Sequence, residues 1–151
     1  MPQPSSEYFL KPGRFVQLMN KTVGLLAYLG IGPAYIRLLR VRGRRSGKIY
    51  TTPVNLLEYG GLLFLVGGRG HTAWSKNVAA SGTVELVRGL QVRRYRAIAL
   101  IDPEKPNILK AYLDEYSKTV QRFFSVPAGS PPDAFIPIAD RHPAFELIPL
   151  D

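Results

Sequence analysis

The sequence predicts a mainly β fold with helices (α+β), a small closed or split barrel. Three observations carry this reading. Apolar runs of strand length are punctuated by turn residues, as in "YGGLLFLV" and "VELVRGLQV". The runs follow one another in hairpin order instead of alternating with helices, which argues against a βαβ fold. The clearest helical pattern comes only after the central strands.

Taken in order, residues 1–12 hold three prolines and little periodicity, and read as a loose arm. Residues 13–151 then form one domain, a length that supports a core without staples. Between Gly13 and Leu29, a stripe of Phe15, Leu18, Met19, Leu25, Leu26 and Leu29 predicts a helix, stopped by Gly30, Gly32 and Pro33. That helix either docks on the sheet or is an amphipathic surface that also touches lipid or covers a ligand site. "YIRLLRV" reads as a strand, "GRRSGK" as a basic turn, and "IYTTPVNLLEY" as a strand with Pro53 marking a start, an edge or a bulge. Gly60-Gly61 is a hairpin signal before "LLFLVGG". Thr72 is a candidate N-cap for a short helix that ends near Gly82. "TVELV" and "LQVRRYRAIALI" make a second hairpin, with a bulge suggested where Val92, Tyr95 and Ala97 fail to alternate with the arginines. Asp102 or Pro103 opens the long helix, whose stripe is Ile108, Leu109, Tyr112, Leu113, Tyr116 and Val120. "SVPAGSPPD" is a loop and Phe145 to Leu150 a last strand, for a total of five or six strands.

The chain carries 20 Lys and Arg against 11 Asp and Glu, a formal charge of +9. Such an imbalance argues for an anionic partner: nucleic acid, a membrane surface, or a phosphorylated or carboxylated small molecule. Cysteine is absent, which removes thiolate chemistry and disulfides. Two distant histidines make no metal site, and His142 has no obvious partner. No G-x-S-x-G, Ser-His-Asp spacing or close carboxylate pair supports hydrolysis. The most apolar stretch, "VGLLAYLGIGPAYI", is shorter than the ~20 residues a membrane span needs, and the start lacks a secretory signal. The expectation is a cytoplasmic protein, with peripheral membrane contact through residues 13–29 left open.

The turn at 43–48 is no P-loop: its spacing is one residue short, Ile49 follows Lys48, and a strand comes next. Arg44 and Arg45 can nevertheless fork onto phosphate or carboxylate oxygens, with Ser46 and Lys48 as further donors. The bland alternative is a solvated basic hairpin. In "GGRGHTAWSKN", Gly67, Gly68 and Gly70 free the backbone to approach a flat ligand, and Arg69 adds a charge. The helix after Thr72 points its positive end the same way. Trp74 either packs under a ring or fills the core, and Asn77 lies on the same helix face. His71 could donate a proton or be merely polar. "RRYR" at 93–96, with Arg88, is a second basic cluster, readable as a solvated sheet face or a nucleic-acid surface.

Three stretches, "LLRVRGRRSGKIYTTPV", "YGGLLFLVGGRG" and "AWSKNVAA", resemble the deazaflavin (coenzyme F420)-dependent nitroreductase family of split β-barrel oxidoreductases. The resemblance implies an FMN-binding-like split barrel and an F420-dependent oxidoreductase. Such an enzyme transfers hydride from the reduced coenzyme to a small acceptor: a quinone, a nitro compound or an activated double bond. It implies that Arg44, Arg45, Ser46 and Lys48 meet the coenzyme's phosphate and acidic tail, with Arg69 as a second contact. Gly67, Gly68 and Gly70 would face the deazaflavin ring, with Trp74 and Asn77 in support. Tyr116 and His71 are the candidate proton donors. The chain has Ala73 and Ser75 around Trp74, and Thr119 and Arg122 where relatives carry tyrosines, so coenzyme binding is better supported than any one substrate. FMN on the same scaffold, and a non-enzymatic basic module for nucleic acid or anionic membrane, are the alternatives. Nucleic acid is the weaker of those two partners, and a homodimer through a sheet face stays open.

Overall fold

The computed structural model describes residues 35–150. The expected arm at 1–12 and helix at 13–29 lie outside the described residues. Seven strands form one antiparallel sheet: β1 (Ile36–Arg42), β2 (Ile49–Asn55), β3 (Leu57–Tyr59), β4 (Leu62–Val66), β5 (Thr83–Arg88), β6 (Gln91–Ala99) and β7 (Ala144–Pro149). Two helices, α1 (Ala73–Ser81) and α2 (Pro106–Val120), are inserted between them. The spatial order is β2-β1-β5-β6-β7-β4-β3.

That order closes the architecture. The two edge strands, β2 and β3, are consecutive in the chain with only Leu56 between them, so the sheet must curl until its edges meet. Among the described residues no ladder joins those edges, and the barrel stays split along one seam. The count is seven rather than five or six because the run "IYTTPVNLLEY" breaks at this corner. There the Leu56 amide makes the last bond in the β1–β2 register, to the Tyr35 carbonyl at 2.8 Å, before the chain turns into β3. Pro53 fits because β2 is an edge and pairs only with β1. Gly60 and Gly61 turn the β3–β4 hairpin with φ of +60° and +78°, a left-handed pair that side chains resist.

Alternation sorts the core into two parts. Leu39, Val41, Val54, Leu65, Val84, Leu86, Tyr95, Ala97, Phe145 and Leu147 fill the barrel, joined by Val78 of α1. The opposite face of β3 and β4, through Leu57, Phe64 and Val66, packs against the buried stripe of α2 and against Phe135 and Ile138. That stripe is the six residues its periodicity marks.

Three local expectations are corrected. The β5–β6 ladder runs unbroken from Thr83–Arg96 to Arg88–Gln91, so β6 has no bulge; Val92 faces outward with Arg94 and Arg96 and is 49% exposed. The long helix opens at Pro106, because Asp102–Glu104 forms its own 3-10 turn. There buried Lys105 turns inward, bonded to Asp102 Oδ1 at 2.9 Å and the Ala139 carbonyl at 3.0 Å. Residues Pro132–Arg141, read in part as loop, form 3-10 helix that lays Phe135, 0% exposed, onto α2. Phe135→Ala should therefore cost ~3–5 kcal/mol of unfolding free energy, read from the urea midpoint at unchanged slope. A loss below ~1 kcal/mol would contradict this packing.

Candidate active site

The basic turn is built before it meets anything. Gly43 N–H donates to the Lys48 carbonyl at 2.7 Å and Gly47 N–H to the Gly43 carbonyl at 3.0 Å, closing the β1–β2 hairpin. Ser46 Oγ accepts from the Lys48 amide and shares a hydrogen with the Tyr50 hydroxyl, both at 3.2 Å, so Ser46 is used inside the turn. Buried Asn77 of α1 reaches across: its Oδ1 accepts from the Arg44 amide at 3.1 Å and from Arg44 Nη1 at 2.8 Å. The turn is thus fixed to α1, while Arg45 and Lys48 stay exposed.

The glycine turn lies at the other end of α1. Thr72 occupies the N-cap position with extended backbone, but its side chain makes no capping bond; Oγ1 is buried without a partner among the described residues. Asn77 is five residues beyond Thr72, roughly 7 Å along the helix. A Cβ on Gly67 would sit 2.6 Å from Pro143 Cγ and 2.8 Å from the Gly70 carbonyl, and one on Gly68 would touch Tyr112 and Phe124. The space the glycines free is thus taken by the protein's own side chains on that side.

Both histidines tie this turn to the 3-10 segment. His71 Nε2 contacts the Asp140 carbonyl at 2.8 Å. His142, far from lacking a partner, is 1% exposed, bonds the Gly67 carbonyl through Nδ1 at 3.2 Å, and stacks on Phe124 at 4.2 Å between centroids. Burial drives its pKa down to about 4, against the opposing pull of the Gly67 and Gly68 carbonyls.

At the seam, α2 supplies the filling. Tyr116, at a kink in the helix, donates its hydroxyl hydrogen to the Leu56 carbonyl, and Tyr112 is hydrogen-bonded by Asn55. Burial pushes both phenols up to about 12. Their rings lie 5.2 Å apart, with Tyr35 at 4.8 Å from Tyr116 and Phe124 at 6.3 Å from Tyr112, a continuous aromatic row. Half-buried Arg69 stands beside it, its guanidinium 5.1 Å from the Phe123 ring centroid; that of Arg122 is 4.7 Å away. Trp74 packs on the barrel core, 6.4 Å from Phe145, which favours the core reading.

The second basic cluster does not join this site. Arg93, Arg94 and Arg96 are exposed, and Glu85 lies opposite Arg94 in the ladder. A shallow hollow of about 220 Å³ lined by Val92, Arg93, Arg94, Tyr95, Pro149 and Leu150 sits where β6 outruns β7, at the other end of the ladder from the basic turn.

The donor set suits an anionic cofactor with a flat head. Among the described residues no carboxylate lies within ion-pair distance of Arg44, Arg45, Lys48, Arg69 or Arg122, and an orphan hydroxyl waits at the α1 N-terminus. No group of three or more metal ligands occurs among the described residues. Tyr112, Phe123 and Phe124 fall in the stretch 112–124 that the sequence offers as a lid over the acceptor, whereas nothing local marks Asn55 or His142 as neighbours of this region.

These features define a split-barrel protein of the kind that seats a flavin or deazaflavin. Residues 14–124 match the F420H(2)-dependent quinone reductase family, and the chain belongs to it. It is an oxidoreductase that uses reduced coenzyme F420. No curated protein matches the sequence. Among solved structures, an F420-H2 dependent reductase (FDR-A) is 24% identical, with 76% of this chain and 95% of that one covered at a TM-score of 0.51. A structure described as a domain-swapped dimer is 23% identical, covering 87% and 95%, with a TM-score of 0.54. The protein Atu2129 of Agrobacterium tumefaciens, of unknown function, is 19% identical, covering 85% and 54%, with a TM-score of 0.53. These likenesses carry the fold. No helix among the described residues is long and apolar enough to cross a membrane.

The depressed pKa of His142 makes a pH prediction. Unfolded, the ring takes a proton near 6.5; folded, only near 4. Its contribution is therefore complete above pH 6.5 and is lost as pH falls toward 4, by up to about 3 kcal/mol. His142→Phe should be the less stable form at pH 7 but lose less on acidification. Parallel stability curves for the two proteins between pH 7 and 4.5 would refute the assignment.

Proposed function

We propose that this chain reduces quinones with the coenzyme's anionic portion held by Arg44, Arg45 and Lys48 and with its ring toward the seam, near Gly68, Arg69 and Tyr112. The observation that carries the reading is the Asn77 bond to Arg44, which fixes a cluster of cations with no carboxylate partner among the described residues to the same helix whose N-terminus adjoins the glycine turn. Bound there, reduced coenzyme F420 supplies a hydride, two electrons at once.

The chain's own residues have narrower tasks. Arg45 and Lys48 attract and neutralise the anionic part; Asn77 holds Arg44 in register; Trp74 stiffens α1 against the barrel. The aromatic row at the seam, buried except at Tyr35, excludes water, and only exposed Tyr35 and half-buried Phe123 offer apolar faces to a quinone. Neither expected proton donor suits that role. The Tyr116 hydrogen is committed to the Leu56 carbonyl and its phenol is a weaker acid than usual, while His71 Nε2 is engaged with Asp140. The proton that completes reduction comes from solvent. The unit that does this is the single domain from residue 13 onward, and light scattering tests a homodimer, suggested by the domain-swapped neighbour.

Fluorescence titration with coenzyme F420 tests the site. Saturable micromolar binding is expected, weakened about 10–100-fold by Arg45→Ala, the worth of one charge-assisted contact. Asn77→Ala should weaken it by a similar factor without touching the ligand, because Arg44 loses its anchor. Absence of saturation in the unaltered protein sinks the site; a bound flavin spectrum in the protein as purified would favour FMN instead.

A further inference from the structure

We infer that Arg69 and Arg122 form an anion-recognising pair on the acceptor side of the site, so that the chain favours quinones carrying an acidic substituent. The inference rests on the functional reading above and names the acceptor chemistry within it.

Three observations lead there. Both guanidiniums lie over one ring, that of Phe123, at 5.1 and 4.7 Å from its centroid. A ring face attracts a cation through its quadrupole but leaves the net charge in place. Secondly, the two charges repel: burial lowers the pKa of Arg69, and the nearby Arg122 lowers it further. Elsewhere the chain resolves such tension with carboxylates, as Lys110 does with Asp114 at 2.8 Å and Lys105 with Asp102 at 2.9 Å. Neither Arg69 nor Arg122 has a carboxylate within ion-pair distance among the described residues. Thirdly, the pair stands at the end of the aromatic row, Arg69 beside Tyr112 and Arg122 in the 3-10 turn Gln121–Phe123 that follows α2. The basic turn at 43–48 is attached elsewhere, to the second turn of α1 through Asn77. Two separate cationic groups therefore flank the site, and the basic turn suits the coenzyme's acidic part. Arg69, expected from the resemblance as a second coenzyme contact, is instead paired with exposed Arg122 over half-buried Phe123, where a molecule lying over the coenzyme's ring would meet them.

The pairing also fits the direction in which charge moves. A quinone that takes up hydride gains one bond to hydrogen and the electron pair, becoming a hydroquinone monoanion; the coenzyme is left oxidised, and a solvent proton completes the hydroquinone. Negative charge thus grows on the acceptor, and guanidiniums fixed nearby favour that growth. An acidic substituent adds a charge that is present before reaction, and so shows itself in binding as well as in rate.

The test uses two probes, 1,4-naphthoquinone-2-sulfonate and neutral 2-methyl-1,4-naphthoquinone, with the protein loaded with oxidised coenzyme so that no turnover occurs. Calorimetry should show the sulfonate bound about tenfold more tightly, a preference that shrinks as salt screens the charges. Arg122→Ala, at an exposed position that leaves the core intact, should remove the preference; Arg122→Lys should keep part of it. With reduced coenzyme, kcat/KM should show the same ratio between acceptors and the same loss. Coenzyme affinity in Arg122→Ala should stay at its original value. Equal affinity for the two probes in the unaltered protein, or an undiminished preference in Arg122→Ala, overturns the inference. So does a fall in coenzyme affinity with the acceptor preference intact, which would assign Arg122 to the coenzyme. Failure of the coenzyme to bind at all is read separately in the titration, and would remove the functional reading together with this one.

Discussion

The rest of the structure depends on one topological constraint: the sheet begins and ends with strands that are neighbours in the chain. With Leu56 as the sole residue between β2 and β3, the sheet's edges cannot separate, and a seam appears where they fail to pair. Leu56 then holds both sides of that seam, its amide on the Tyr35 carbonyl and its carbonyl under the Tyr116 hydroxyl. Exposed backbone at a sheet edge invites unwanted pairing. Here α2 covers it with tyrosines, and the cover becomes the wall of the proposed site. The position of that site thus follows from how the barrel closes.

Charge is distributed to match. Away from the site, cations are answered: Arg40 by Glu85 at 3.9 Å, Lys105 by Asp102, Lys110 by Asp114. Around α1 and the glycine turn they are not, among the described residues. Surface ion pairs add little stability, so the contrast matters less for folding than for what the surface attracts. The Thr72 hydroxyl, buried with no partner among the described residues, lies beside the same cations, and a buried polar atom left unpaired is costly.

What was legible in the sequence was local. The Gly60-Gly61 hairpin, the stripe of α2, the N-cap position at Thr72 and the glycine at the end of α1 each follow from a few neighbouring residues, and each is found where expected. The break after Leu56 was not legible, because the hydroxyl that takes its carbonyl belongs to Tyr116, 60 positions away. His142 meets Gly67 across 75 positions, and a lone histidine before a proline carries no sign of that. Asn77 was singled out on its spacing from Trp74, yet its partner, Arg44, is 33 residues distant. The glycines at 67 and 68 were read as room for a ligand; Pro143, Tyr112 and Phe124 occupy that side, and only the fold could bring them there.

The Asn77 bond separates the three cations of the basic turn into two kinds. Arg45 and Lys48 are exposed, with no side-chain bond among the described residues, and immobilising such a side chain on contact costs ~0.5–1.5 kcal/mol. Arg44 has already lost that freedom at folding, its fork held at 2.8 Å by a buried amide oxygen. In the proposed site the exposed pair would govern capture, a long-range event sensitive to ionic strength, and the tethered guanidinium would govern residence time. Arrival and departure of the bound anion would then be set by different residues of a single hairpin.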